Sequence, residues 1–182
     1  MFSSAPILED KLSVDERKIL SFESTVKLKD FCPERIKKIV PELSSTINNL
    51  ISLVKKKNYI TIDVMKHNFI ARGKTCTDIS YHVDGVDNEY IIWSIGDFRT
   101  EFLVDPILIP GLGKLSPREL AKPIFELTKK NNLHFMEAPS SVPIKYDSYC
   151  IHRGRIAEAG HKRVMIRVCS SDYIKPKNAV IT

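Results

Sequence analysis

Long apolar runs are absent from this chain of 182 residues. Its uncharged apolar stretches, such as IIWSI, fall far short of the roughly 20 residues that a membrane-spanning helix needs. The first residues, MFSSAPILEDKL, lack the basic start and apolar centre of a secretory signal. Cysteine is scarce, and the four cysteines are widely spaced with no CxxC pair. We therefore expect no membrane segment, no disulfide framework and no zinc ribbon, but reduced thiols in a cytoplasmic protein.

Several common catalytic signatures are also missing. The sequence contains no P-loop, no glycine fingerprint of a dinucleotide-binding fold, no HExxH zinc motif and no internal repeat. Its composition, with 43% hydrophobic and 27% charged residues, is that of an ordinary globular domain. A domain of this length buries enough surface to fold without metal or disulfide support.

The positive charge is modest and dispersed. Lysine and arginine exceed the acidic residues by 28 to 22, which gives a formal net charge of +6. The basic residues occur in pairs and in one triplet, Lys55 to Lys57, rather than in a tail or an arginine-rich stripe. This pattern favours a solvated surface, and binding of an acidic substrate or a polynucleotide is the alternative.

The first part of the chain has the hydrophobic period of helices. Ser13 and Glu16 form a capping-box pattern that opens a predicted helix over Val14–Phe22, and prolines at Pro33 and Pro41 are typical of first helical turns. The last of these helices has an apolar stripe, formed by Leu43, Ile47, Leu50, Ile51 and Val54. Such a stripe predicts core packing rather than a partner-binding face.

From Tyr59 onward the period changes to two. Strands are predicted near 59–65, 67–72, 77–84, 89–96, 99–105, 132–137, 147–153 and 162–169, with a helix over 117–130 and an irregular end of ten residues. About eight short strands suggest an antiparallel sandwich or barrel. The expected fold is therefore mainly β with flanking helices, specifically a double-stranded β-helix (a cupin-like jelly roll). Residues 1–58 are expected to form a helical scaffold packed on a catalytic core of residues 59–182, in one structural unit.

Three predicted strands each have one apolar face and one face with ionisable or ligating groups. The apolar faces carry Tyr81, Val83, Tyr149, Ile151, Val164, Ile166 and Val168. The opposite faces carry His82, Asp84, Cys150, His152, Arg163, Met165, Arg167 and Cys169. Polar faces of antiparallel sheets often meet water, but they then usually carry Lys, Glu and Thr. This inventory favours a partly enclosed cavity with metal ligands.

A metal-ligand set can be assembled from these faces. His82 and Asp84 are two residues apart on one strand, and His152 on another strand completes two imidazoles and one carboxylate. That set occupies one face of an octahedral ion and leaves three positions open, as in non-haem Fe(II) oxygenases. Arg163 and Arg167 follow His152 by eleven and fifteen residues, and either guanidinium could bind a dicarboxylate bidentately.

At residues 59–170 the chain resembles the Fe(II)- and 2-oxoglutarate-dependent dioxygenases. The resemblance is carried by His82-Val83-Asp84, His152 and the two arginines, which match the HxD…H…R pattern. It implies that His82, Asp84 and His152 bind Fe(II), that 2-oxoglutarate is the co-substrate, and that O2 is activated to hydroxylate a C–H bond.

The resemblance also assigns the co-substrate contacts. Arg163 would form a salt bridge with the far carboxylate of 2-oxoglutarate, and Arg167 would touch its chelating carboxylate or an anionic substrate group. Met165 departs from the Arg-x-Ser pattern of many members. A further contact on an earlier strand is implied, with Tyr90, Trp93 and Thr100 as candidates.

Other functional interpretations are also compatible with these residues. One is a cupin-like metal enzyme that does not use 2-oxoglutarate, and another is a non-enzymatic basic β-domain that binds nucleic acid or protein. A Cys150–His152 nucleophile pair is a weaker possibility. Arg153 and Arg155 near the expected cavity mouth favour an anionic small molecule, although a nucleic-acid base or a peptide side chain also fits. The sequence does not fix the oligomeric state.

Overall fold

Seven antiparallel strands form the larger of two sheets in the computed structural model, which describes residues 1–74, 81–85, 88–112, 115–130, 132–158, 161–173 and 180–181. The strands are β1 (Ile7–Leu8), β2 (Val26–Asp30), β3 (Tyr59–Ile70), β4 (Glu89–Gly96), β7 (Ile144–Asp147), β9 (His161–Ser171) and β10 (Val180–Ile181). Their order across the sheet is β1-β7-β4-β9-β3-β2-β10. The long pair β3 and β9 therefore lies at the centre, where Asp63 is opposite Arg167 and His67 is opposite Arg163.

The smaller sheet contains three short strands. These are β5 (Glu101–Leu103), β6 (Phe135–Glu137) and β8 (His152–Arg153), in the order β6-β5-β8, and both pairings are antiparallel. On the free side of β8, His82 forms an antiparallel bridge with His152. The segment that carries His82 and Asp84 is thus attached to the edge of this sheet.

The helices lie outside the two sheets. They are α1 (Glu16–Ile19), α2 (Pro33–Ile39), α3 (Ser44–Leu53) and α4 (Pro117–Lys130), with a 3-10 turn at Pro41–Leu43 before α3. Proline suits the first turn because the amide hydrogens there have no partner within the helix. At α4, the Ser116 hydroxyl accepts from the Glu119 amide and the Glu119 carboxylate accepts from the Ser116 amide, which confirms the predicted start of this helix.

Side-chain alternation along the strands creates three apolar cores. The outer face of the larger sheet packs on α2 and α3 through Trp93, Val164, Ile166, Val168, Ile36, Ile47 and Leu50. The space between the sheets contains Tyr90, Ile92, Phe102, Tyr146, Cys150 and Met165. The outer face of the smaller sheet packs on α4 through Val83, Leu103, Ile151, Leu120 and Ile124. These three layers reproduce the face assignments expected from the sequence.

The coarse fold class is confirmed: the protein is mainly β, with antiparallel sheets and a few helices compatible with a β-sandwich. The more specific jelly-roll assignment stays a prediction. Among the described residues, no helix is both long and apolar enough to cross a membrane.

The prediction of an all-helical N-terminal region is wrong in two respects. Val26–Asp30 is a strand of the larger sheet, paired with β3, because its alternating apolar residues add to a sheet edge. The first helix is only Glu16–Ile19 and its cap is Asp15, whose carboxylate accepts from the Lys18 amide. The Glu16 carboxylate accepts instead from the hydroxyls of Ser140 and Ser141, so the capping box with Ser13 does not form.

Some strand boundaries also differ. The two strands predicted over 59–72 are one continuous strand, Tyr59–Ile70, in which a register shift after His67 absorbs the irregularity. The strand predicted over 147–153 is interrupted by a turn, so that β7 ends at Asp147 and β8 begins at His152. Residues 77–80, half of the strand predicted over 77–84, lie outside the described residues, and the end of the chain contributes β10.

Candidate metal centre

The three predicted ligands meet because one backbone pairing joins two of them. The amide of His82 donates to the carbonyl of His152, and the amide of His152 donates to the carbonyl of His82, both at 2.9 Å. Their rings are tilted by 57° relative to each other, with centroids 4.5 Å apart. Asp84 follows on the same side of its strand, and one ligand atom from each of the three residues lies within 4.8 Å of the others. The two nitrogens and one oxygen form a compact donor set for a divalent ion.

His152 is held so that one ring nitrogen is directed at the centre. Its Nδ1 lies 3.1 Å from the carbonyl oxygen of Cys150, and its Nε2 lies 3.5 Å from Oδ2 of Asp84. The rings of Tyr146 and Phe102 pack against the imidazole at 5.1 and 5.6 Å. With Nδ1 donating to a carbonyl, Nε2 keeps its lone pair for a metal.

The protonation states suit metal binding. Burial and the neighbouring His82 lower the pKa of His152 to about 4, so this ring is neutral at pH 7. Burial alone would raise the pKa of Asp84, but Arg167, His152 and His82 together lower it well below its ordinary value. The centre therefore presents a neutral imidazole and an ionised carboxylate, as metal ligation requires.

Two further residues orient the Asp84 carboxylate. The Tyr146 hydroxyl donates to Oδ2 of Asp84 at 2.9 Å, and Nη1 of Arg167 donates to the same oxygen at 3.1 Å. Nε and Nη2 of Arg167 donate to Oδ2 of Asp63 at 3.0 and 2.8 Å. Since both bonds to Asp84 use Oδ2, its Oδ1 remains available for a metal.

This arrangement gives Arg167 two carboxylate partners that the sequence did not predict. Sequence reasoning gave it a co-substrate carboxylate or an anionic substrate group, whereas the structure pairs it with Asp63 and Asp84. The sequence also did not predict the hydrogen bonds that Asp63 and Tyr146 form with Arg167 and Asp84. An available signal was Asp63 itself, because a carboxylate between Ile62 and Val64 in an apolar strand needs a buried partner.

Arg163 and Thr100 come together at another part of the space between the sheets. The Arg163 side chain is almost fully buried, with 1% of its surface exposed, and Nη2 donates to the Thr100 hydroxyl at 3.3 Å. Ser94 and His67 lie on the neighbouring strands, and neither Ser94 Oγ nor His67 Nε2 has a hydrogen-bond partner within the described structure. Buried polar atoms of this kind are rare and mark a place where a ligand can bind.

A cavity of about 310 Å³ contains the three ligands and reaches Thr100. Met65, Ile92 and Met165 give it apolar walls, and Arg153 and Gly154 also line it. Among the described residues, Thr100 lines this cavity directly, whereas Arg163 does not. The volume is sufficient for a small organic ligand beside a metal.

Other candidates are placed away from this cavity. Trp93 belongs to the core beneath α3, so it cannot contact a ligand between the sheets. Tyr90 lies between the sheets and stacks on Tyr146 with centroids 5.1 Å apart, but it lines a second cavity. Burial raises the pKa of the Cys150 thiol. The backbone carbonyl of Cys150, rather than its thiol, contacts the His152 ring, which disfavours a Cys–His nucleophile.

The arginines expected at the mouth are paired with carboxylates. Nε of Arg153 donates to Glu101 at 2.5 Å, and the guanidinium stacks over the Tyr81 ring at 4.2 Å. Nη1 of Arg155 donates to Glu137 at 2.6 Å. Their charges are therefore already compensated, which weakens the argument for an anionic substrate.

Comparison with protein-family models and with curated proteins found no match to this chain. The residues described above are therefore the basis for assigning a function.

Proposed function

We propose that this protein is a non-haem Fe(II)- and 2-oxoglutarate-dependent oxygenase that hydroxylates a C–H bond of a substrate still to be identified. The observation that carries the proposal is the convergence of His82, Asp84 and His152 within 4.8 Å at a cavity between two sheets. Two imidazoles and one carboxylate leave open coordination positions for a chelating co-substrate and for O2.

When bound, Fe(II) with 2-oxoglutarate supplies the oxidative chemistry that yields succinate, CO2 and a hydroxylated product. The chain's own residues would bind these two groups and orient them. His152 presents a neutral Nε2, and Asp84 stays ionised beside Arg167. Tyr146 restricts the rotation of the Asp84 carboxylate, and the apolar walls around Met65, Ile92 and Met165 limit the access of water.

The far carboxylate of 2-oxoglutarate is assigned to the Thr100 end of the cavity. A carboxylate that reaches this end meets the Thr100 hydroxyl, with the Arg163 guanidinium hydrogen-bonded behind it. The Ser94 hydroxyl and His67 Nε2 on the adjacent strands have no hydrogen-bond partner among the described residues, which supports an anion-binding role for this end.

Oxygen-dependent formation of succinate tests the proposal. With Fe(II) and 2-oxoglutarate, wild-type protein should form succinate, and the His82→Ala and His152→Ala variants should lose this turnover because each lacks a ligand. His134→Ala is the matched control, since this histidine is exposed and pairs with Asp105. Retained turnover in either ligand variant would show that the assignment of the centre is wrong.

A cupin-like metal enzyme without 2-oxoglutarate is the second candidate. It is favoured by the pairing of Arg167 with Asp63 and Asp84 and by the position of Arg163 behind Thr100. Thermal unfolding with Mn²⁺ separates the two candidates. Additional stabilisation by N-oxalylglycine, lost in Arg163→Met, supports the oxygenase, and stabilisation by Mn²⁺ alone supports the cupin-like enzyme.

A further inference from the structure

A second cavity lies on the other side of the Asp84–Arg167 pair. Its volume is about 180 Å³, and it shares Asp84 and Arg167 with the cavity of the metal centre. Tyr90 and Cys169 line it from the adjacent strands β4 and β9, where they are directly opposite each other. An apolar cavity of about 150 Å³ accommodates benzene, so this space is large enough for a group of one ring or one side-chain head.

The charged groups that line this cavity neutralise one another. Among the described lining residues there are two cations, Lys29 and Arg167, and two carboxylates, Asp63 and Asp84. Lys29 Nζ lies 3.4 Å from Asp63, and Arg167 lies 2.8 Å from Asp63 and 3.1 Å from Asp84. An entering anion would lose its hydration next to two carboxylates and would find each cation already paired.

The same lining can both donate and accept hydrogen bonds. Lys29 is 33% exposed at its side chain, and its ammonium carries three donors. Asp63 offers carboxylate oxygens, and the side chains of Asn88, Tyr90 and Cys169 add further polar atoms. A neutral group with an acceptor next to an N–H donor, such as a carboxamide, matches this set without adding charge.

We propose that this second cavity binds a neutral carboxamide-type group and discriminates against carboxylates of the same shape. The assignment of that group to the oxygenase substrate rests on the proposed function, because the cavity adjoins the metal centre through Asp84. The binding preference itself requires no metal, so it is tested on metal-free protein and can fail independently of the oxygenase assignment.

Cys169 permits a direct test, because it is half-buried at this cavity. Iodoacetamide and iodoacetate differ in their amide and carboxylate groups, and both alkylate a thiolate by displacing iodide from the methylene carbon. The rates are measured site by site by mass spectrometry at alkaline pH, since burial raises the pKa of Cys169. Cys32, a partly exposed cysteine remote in sequence, is the internal control.

We expect the ratio of iodoacetamide to iodoacetate rates at Cys169 to exceed that at Cys32 by about tenfold, because a desolvated anion is disfavoured. Asp63→Asn removes one negative charge and leaves Lys29 and Arg167 in excess, so it should lower the ratio at Cys169 several-fold without changing Cys32. Circular dichroism confirms that the variant is folded.

Three results would overturn the proposal. One is an equal ratio at the two cysteines in wild-type protein, and another is a Cys169 ratio that Asp63→Asn does not change in a folded variant. The third is labelling of Cys32 by both reagents with no labelling of Cys169, because the cavity would then be closed to groups of this size.

Discussion

The two faces of the larger sheet use the same strands for different purposes. On the outer face Trp93, Ile166 and Val168 pack against α2 and α3 in an apolar core. On the inner face Asp63 and Arg167 bury an ion pair. Replacing buried ion pairs by apolar residues is often neutral or stabilising, so such groups are weak evidence for stability. The outer face therefore stabilises the sheet, whereas the inner face orders Asp84.

The largest expected effect is on the outer face. Trp93→Ala should lower the free energy of unfolding by about 3–5 kcal/mol, because it removes a fully buried aromatic side chain from a packed core. Urea unfolding measures this loss. Phe125→Ala on α4 is the control, since Phe125 is 49% exposed and its replacement should cost less than about 1 kcal/mol. Equal losses would mean that the core beneath α3 is not tightly packed.

The next effect is a pH dependence from the inner face. Burial, with Lys27 and Arg163, lowers the pKa of His67 to about 4, below its model-peptide value of 6.5. The unfolded chain then binds more protons between these values, so stability is lost as the pH falls. Between pH 7 and pH 5 the loss from this residue should be about 2 kcal/mol.

The His67→Gln variant isolates this contribution. It should show a shallower decline of unfolding free energy below pH 7 than wild type. Parallel curves for wild type and His67→Gln would show that His67 titrates normally in the folded protein.

A smaller effect is expected on metal affinity. Tyr146→Phe removes one of the two hydrogen bonds to Oδ2 of Asp84 and should weaken Mn²⁺ binding about tenfold. Titration calorimetry measures the affinity. Tyr149→Phe is the control, because Tyr149 packs in the core beneath α4. The Mn²⁺ affinity of this variant should equal that of wild type. Unchanged binding in Tyr146→Phe would remove Tyr146 from the centre.

The smallest effect concerns a polar pair on the outer face. Lys66 is buried there, donates to Glu42 and lies over the Phe22 ring at 4.8 Å. Lys66→Met keeps the apolar stem, so the free energy of unfolding should change by less than about 1 kcal/mol. A loss of several kcal/mol in thermal or urea unfolding would show that the two faces do not differ in their dependence on charged pairs.

Local sequence patterns correctly predicted those strands and helices in which each face has the same surroundings along its whole length. The alternation in β9 correctly separated Val164 and Ile166 from Arg163 and Arg167, because the two faces of this central strand have different surroundings. Proline and serine at the start of α4 likewise predicted where that helix begins. Period two correctly placed His82 and Asp84 on one side of a strand, whereas His152 was taken from another strand to complete the donor set of the HxD…H…R pattern.

The parts that sequence reading missed depend on distant partners. Val26–Asp30 is a strand because β3 pairs with its alternating residues, and this partner lies about forty positions further along the chain. Asp15 caps α1 because Glu16 has partners in Ser140 and Ser141, more than a hundred residues away in the chain. The pairing of Arg167 with Asp63 was missed for the same reason, since only the pairing of β3 with β9 places Asp63 opposite it.

The reciprocal bonds between His82 and His152 have a consequence for the order of folding. These residues are separated by about seventy positions, so the centre exists only after a long loop has closed and β8 has paired on both sides. Non-local pairings of this kind form slowly, because the chain entropy is lost before the contacts are gained. Metal affinity should therefore be acquired late in refolding and should report on completed topology rather than on early collapse.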